Sequence, residues 1–206
     1  MCRYILLPLV ASCDYALFYN KIMNTYVALL RGINVGGRIV KMADLKDCFE
    51  KSGCYDITTI LQSGNVIFKS PEVDLELIRK KLEADVISRF DYPAKIFVLD
   101  QSRLQLITNK YPFDDSNADY QHYIVFLRPG LAEDLLPYAG SLDPAVEIIA
   151  RGNDVVYWKV QKGMSLKSYF SQILTRSQFK DFNTIRNINT ANRLLASIFA
   201  QQNTYA

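Results

Sequence analysis

One order of elements, read twice along the chain, constrains this sequence more than any other feature. The run Thr25-Tyr26-Val27-Ala28-Leu29-Leu30 is apolar and β-rich, long enough for one strand. Met42, Leu45, Cys48 and Phe49 then recur at helical spacing, with Gly53 as a natural stop. Segments 58–62 and 65–69, joined by Ser63-Gly64, read as a hairpin. Ser70-Pro71 or Asp74 can cap a second helix whose buried stripe is Leu75, Ile78, Leu82, Val86 and Phe90. Segment 94–99 supplies a fourth strand, completing the β-α-β-β-α-β order of ferredoxin-like folds.

The order then restarts. A short linking helix (102–110) and a polar loop lead to a strand at 120–127, a helix at 131–138, and a hairpin of 146–150 and 155–160 through Gly152-Asn153. Ser165 can cap a helix with apolar positions Leu166, Tyr169, Phe170, Ile173 and Leu174. Segment 184–186 can close the sheet, and 190–199 forms a terminal helix. Two local matches support a duplication: Leu30-Arg31-Gly32 with Leu127-Arg128-Pro129-Gly130, and Gln62 to Val66 with Ala150 to Asp154. The expected fold class is α+β, a tandem duplication of two ferredoxin-like halves with a C-terminal helix. The first half covers 23–100, a linker 101–119, and the second half with its terminal helix 120–206.

Residues 1–22 stand apart. Tyr4 to Ala11 is too short to span a bilayer but resembles a signal h-region, and Val10-Ala11-Ser12-Cys13 resembles a bacterial lipobox. The leading reading is a start placed upstream of the genuine initiator Met23, with a lipoprotein signal or a genuine appended segment as the alternatives. The expected location is therefore cytoplasmic, with lipid anchoring through Cys13 as the alternative if 1–12 is a signal.

Half of the 206 residues are apolar and 22% are charged, which fits an ordinary globular protein. A net charge of +3 permits a polyanionic partner without demanding one. Four cysteines without a CxxC and a single His122 predict no metal site and no cofactor, and suit a reducing compartment.

Three polar clusters carry whatever chemistry the sequence offers. In Arg31-Gly32-Ile33-Asn34-Val35-Gly36-Gly37-Arg38, followed by Lys41, glycines between a strand and a helix can cradle an anion or merely permit positive φ. The stretch matches neither GxGxxG nor GxxxxGK[ST]. Gln62-Ser63-Gly64-Asn65 reads as a tight turn, or as ligand contacts if it faces Arg31. Thr184 to Thr190 leads into the last helix; Asn189 or Thr190 can cap it, whereas Arg186 and Asn187 remain for a pocket between the halves. His122 reads as a half-buried strand histidine, and Trp158, Tyr157 and Tyr123 as core aromatics rather than an RNA-stacking platform. For an enzyme, only Asp44, Asp47 and His122 are plausible bases by type.

Taken together, Ala28 to Gly37, Lys41-Met42, Gln62 to Phe68 and Thr184 to Asn187 resemble the bacterial family numbered 1697 among the domains of unknown function. The resemblance runs from about Met23 to Ile198 and implies the tandem ferredoxin-like architecture and a cytoplasmic bacterial protein. No established activity comes with it. It places the family's motif positions on Arg31, Gly32, Asn34, Gly36, Gly37, Lys41, Gln62, Ser63, Gly64, Asn65, Arg186 and Asn187. The chain departs from the family in residues 1–22 and in Ile188, where an aromatic is common.

Function is thus expected to be binding of a phosphate-bearing ligand, a nucleotide or single-stranded nucleic acid, in a cleft between the halves. The candidate residues are Arg31, Asn34, Gly36, Gly37, Lys41, Gln62, Ser63, Asn65, Arg186 and Asn187. The alternatives are an enzyme acting on a phosphorylated small molecule and a protein-interaction or regulatory module.

Overall fold

The computed structural model describes residues 23–34 and 39–203. Its first half comprises β1 (Asn24–Leu30), α1 (Met42–Lys51), β2 (Tyr55–Ile60), β3 (Asn65–Ser70), α2 (Leu75–Phe90) and β4 (Ile96–Asp100), followed by α3 (Gln101–Asn109). The second comprises β5 (Tyr120–Leu127), α4 (Leu131–Leu135), a 3-10 turn (Leu136–Ser141), β6 (Glu147–Arg151), β7 (Val155–Gln161), α5 (Tyr169–Leu174), α6 (Ser177–Lys180) and β8 (Asn183–Asn187), followed by α7 (Ile188–Asn203). The two sheets run β2-β3-β1-β4 and β6-β7-β5-β8, with antiparallel neighbours throughout. Each has the ferredoxin-like strand order, so the duplicated α+β fold read from the sequence is the fold of the chain.

Why β1 and β5 are continuous apolar runs follows from their central positions. Successive side chains on a strand point to opposite faces, and both faces of each sheet are covered. Tyr26, Ala28 and Leu30 join Leu45, Phe49, Ile78, Leu82 and Val86 beneath α1 and α2. Val27 and Leu29 face the other way, into a central cluster shared by both halves. That cluster gathers Ile67 and Phe97 from one sheet and Ile124, Phe126 and Tyr157 from the other. Leu104 and Ile107 of α3 and Leu194 and Ile198 of α7 complete it.

Structural equivalence extends further than the sequence expectation. Tyr26 pairs with Asp100, and Tyr123 with Asn187, at the same point of the two sheets. Asp100 caps α3 through the Arg103 amide, and Asn187 accepts from the Asn189 amide at the start of α7. The linking helix and the terminal helix are therefore copies of one element. Each also crosses to the other half: Tyr157 donates to the Ile107 carbonyl at 2.9 Å, and Gln201 donates to Thr58 at 2.9 Å. Gln101 and Gln202 exchange hydrogen bonds where the two helices meet.

Three expectations are corrected. The α7 cap is Asn187 rather than Asn189 or Thr190, because the helix springs directly from β8. Ser168, not Ser165, caps α5, and Leu166 is 91% exposed; the Ser168 amide closes a turn onto Met164 that delays the helix. The hairpin match is shifted by two residues. Leu30 donates to the Gly64 carbonyl and Leu127 to the Asp154 carbonyl, so Gly64 corresponds to Asp154 and not to Gly152. Both adopt positive φ, +70° and +53°. Only glycine fits at 64, since a Cβ there would lie 2.9 Å from Ile33 and Leu30 side-chain atoms; Asp154 is among the few side-chain types that tolerate the left-handed region.

Candidate ligand site at the seam between the halves

The two equivalent turns give the molecule two seams, and an arginine from the opposite half reaches into each. At the first, Arg186 of β8 enters the turn after β2. Its Nε donates to Asn65 Oδ1. Its Nη1 donates to Thr184 Oγ1 and the Ile185 carbonyl, both at 2.8 Å. Its Nη2 faces the carbonyls of Leu30 at 2.8 Å, Ser63 at 3.2 Å and Gly64 at 3.4 Å. All three guanidinium nitrogens are thus committed to protein acceptors, in a residue only 9% exposed. Burial pushes the guanidinium down to about 10, so it stays charged at neutral pH.

Some of the other predicted residues join this clamp, whereas Asn187 caps α7. Arg31 reaches across to Asn183, donating to its carbonyl at 2.7 Å and its Oδ1 at 2.9 Å. Buried Asn65 also donates to Ile60 and Ser63. Asn34 accepts from the Val40 amide at 2.7 Å and donates to the Gln62 carbonyl at 2.7 Å, tying two motifs together. Gln62 and Lys41 are exposed, the latter just ahead of α1. Gly36 and Gly37 lie outside the described residues. Described residues of all three motifs therefore meet, with the Arg186 donors taken up by protein acceptors.

At the second seam the equivalent turn stays open. Arg103 of α3 donates to the Asn153 carbonyl and pairs with Asp154 at 3.1 Å, matching the Arg186 contacts with the Ser63 turn. Here, however, a cavity of about 530 Å³ remains, lined by Arg103, Lys110, Glu133, Arg151, Asn153 and Asp154 among others. Arg151 pairs with Glu133, but their side chains are 65% and 57% exposed. Sequence reasoning missed these residues. The available signal was the seven-residue spacing of Arg103 and Lys110, which puts both on one face of a helix.

None of the candidate bases lines that cavity. Asp47 pairs with Lys51 and Arg89 on the far side of the first half, and Asp44 is exposed on α1. His122 is 4% exposed in the central layer; its Nδ1 lies 2.9 Å from the Tyr111 hydroxyl and its Nε2 meets no partner. Trp158 and Tyr157 are buried, as core aromatics. Among the described residues, no His, Cys, Asp and Glu cluster could hold a metal, and no helix is long and apolar enough to cross a membrane.

Burial holds His122 below the usual histidine range. The unfolded chain then takes up a proton near pH 6.5 that the folded chain refuses, so stability falls as pH drops from about 6.5 toward the folded value. Thermal melts should show this decline, limited to about 1.4 kcal/mol per pH unit for one proton, and His122→Gln should flatten it. An equal slope in the variant would assign the decline to other groups.

A family model described as "Protein of unknown function (DUF1697)" matches residues 23–157. The chain belongs to this family. No curated protein matches it. A conserved bacterial protein from Streptococcus pneumoniae shares 24% identity at a TM-score of 0.69, covering 84% of this chain and 98% of its own; it shows the fold alone. An unknown protein from Galdieria sulphuraria is 10% identical at a TM-score of 0.28, over 80% of this chain and 97% of its own.

Proposed function

We propose that this DUF1697 protein binds a phosphate-bearing small molecule between its halves, in the cavity bordered by Arg103, Lys110 and Arg151. The observation that carries this reading is a cation-bordered cavity beside the second turn. Arg186 at the first turn is buried and fully engaged; Arg103, which reaches the equivalent turn from α3 rather than from the strand position of Arg186, stands beside a cavity of about 530 Å³, within the size range of small-molecule sites. Three cations border that space against two carboxylates, Glu133 and Asp154. The Arg151–Glu133 pair is exposed, and such pairs contribute only about 0–1 kcal/mol. A phosphate dianion can therefore draw Arg151 away from Glu133 and accept charge-assisted hydrogen bonds from it.

A compact cavity favours a nucleotide-sized molecule over a nucleic-acid strand, and the buried aromatics leave no stacking platform on the sheets. Binding rather than catalysis is favoured because the cavity lining named above holds no histidine or cysteine, and its two carboxylates, Glu133 and Asp154, are each ion-paired with an arginine. Free, buried Cys48 and Cys54 suit a reducing cytoplasm.

A thermal-shift screen with phosphorylated metabolites and nucleotides tests the reading. A ligand at about 100 times its Kd stabilises by about 2.7 kcal/mol. Arg151→Ala and Lys110→Ala should each weaken binding about 10-fold, as expected for the loss of one hydrogen bond to a charged group. Unchanged affinity in both variants would place the ligand elsewhere.

A further inference from the structure

A second cavity adjoins the first. It measures about 370 Å³ and is lined by Phe97, Leu99, Phe126 and Pro129, with Arg79 and Arg128 at its edge. The two cavities share Ile107, Arg103 and Asp154, so the Arg103–Asp154 ion pair stands between them as a partition. Their chemistry differs. The larger is bordered by Lys110, Arg151 and the polar turn Gly152–Asp154. The smaller has mainly apolar walls from the ends of β4 and β5 inside a border of mutually paired charges that includes Glu76, Arg79 and Arg128, and Arg128 lies over the Phe97 ring at 4.9 Å. Arg128 is itself held by Glu83 at 3.1 Å and by the Ile96 carbonyl at 3.3 Å, so it is a fixed wall.

Resting on the function proposed above, we infer that the seam takes a two-part ligand: a phosphomonoester carrying a flat, largely apolar body, of which a nucleoside monophosphate is the representative chemistry. The phosphate occupies the cationic cavity, and the ring system enters the apolar one past Arg103. Neither part suits the other chamber. An anion among Phe97, Leu99 and Phe126 would lose its hydration beside arginines already held by carboxylates, Arg79 by Glu76 and Glu83 and Arg128 by Glu83, and an aromatic ring among Lys110, Arg151 and Glu133 would leave charged groups stripped of water. Arg103, positioned between the chambers, can serve both parts by hydrogen-bonding the phosphate and lying against the ring edge or face.

The test compares adenosine 5′-monophosphate, ribose 5-phosphate and adenosine by isothermal titration against the full chain. The monophosphate should bind at least about 10-fold tighter than ribose 5-phosphate, since burying a ring contributes beyond the phosphate contacts. Adenosine should bind weakest of the three. Pro129→Trp, at an exposed position of the apolar chamber's rim, should bring the monophosphate down to the ribose 5-phosphate affinity. Equal affinity of the two phosphates in the unaltered protein would overturn the two-part site while leaving phosphate binding intact. Absence of binding by both phosphates would overturn the proposed function and this inference with it.

Discussion

Arg186→Met is expected to destabilise the protein by about 3–5 kcal/mol, the range for removing one partner from a buried charged network. The substitution keeps an apolar stem of similar length but removes every donor. It leaves Asn65 Oδ1, Thr184 Oγ1 and the carbonyls of Leu30, Ser63, Gly64 and Ile185 facing a methionine in the closed seam. For a protein of this size a loss of that order lowers Tm by roughly 6–20 °C. Arg186→Lys should recover only a minority of the loss, because one ammonium cannot span acceptors placed around a planar fork. Urea unfolding of both variants measures this directly. A cost under about 1 kcal/mol for the methionine variant would mean that water replaces the guanidinium, and that the seam is not held by it.

The second large effect lies in the outer layer of the second half. Glu147 is 2% exposed, and its carboxylate accepts from Trp158 Nε1 at 3.0 Å and from the Phe170 amide at 2.9 Å, at the start of α5. Glu147→Leu strips both donors of their acceptor inside a cluster of Trp158, Phe170, Ile173 and Leu174. The expected cost is about 2–5 kcal/mol, from two buried N–H groups left unsatisfied. Glu147→Gln retains one acceptor oxygen but turns an amide N–H₂ toward one of the two donors, and should cost less than the leucine variant. Trp158 is the only tryptophan, so its fluorescence follows the site during unfolding. A leucine variant as stable as the parent would show that packing compensates fully for the lost polar contacts.

Local signals carried most of the fold into the sequence. Asp74 caps α2 through the Glu76 and Leu77 amides, and the stripe Ile78, Leu82, Val86 is buried as its spacing requires. The continuous run of β1 reported a strand covered on both faces. What the sequence could not convey were relations across the chain. Arg186 meets the Leu30 carbonyl across 156 positions, and nothing near either residue announces the other. The misaligned repeat has the same origin. Gly152 looks like Gly64 in sequence, but the left-handed turn position falls to Asp154, which the register of β5 against β7 decides. The candidate residues were grouped by proximity in sequence and chemistry, and Arg31, Asn34, Ser63, Asn65 and Arg186 do come together. The cavity beside the second turn is bounded by side chains from α3, α4, β6 and β7 at once. That information is spread along the chain rather than concentrated in a motif.

The central layer that α3 and α7 share between the halves changes what the peptide connection accomplishes. Both helices lie in the central layer between the sheets, each against its own half and each with a bond across, as the Tyr157–Ile107 and Gln201–Thr58 contacts record, so neither half closes that layer alone. The segment between α3 and β5, exposed from Asp114 to Asp119, acts chiefly as a tether. Its contribution is effective concentration, on the order of millimolar for a short flexible link. In physical terms the molecule is a dimer of two interlocked units whose assembly no longer depends on how many copies are present.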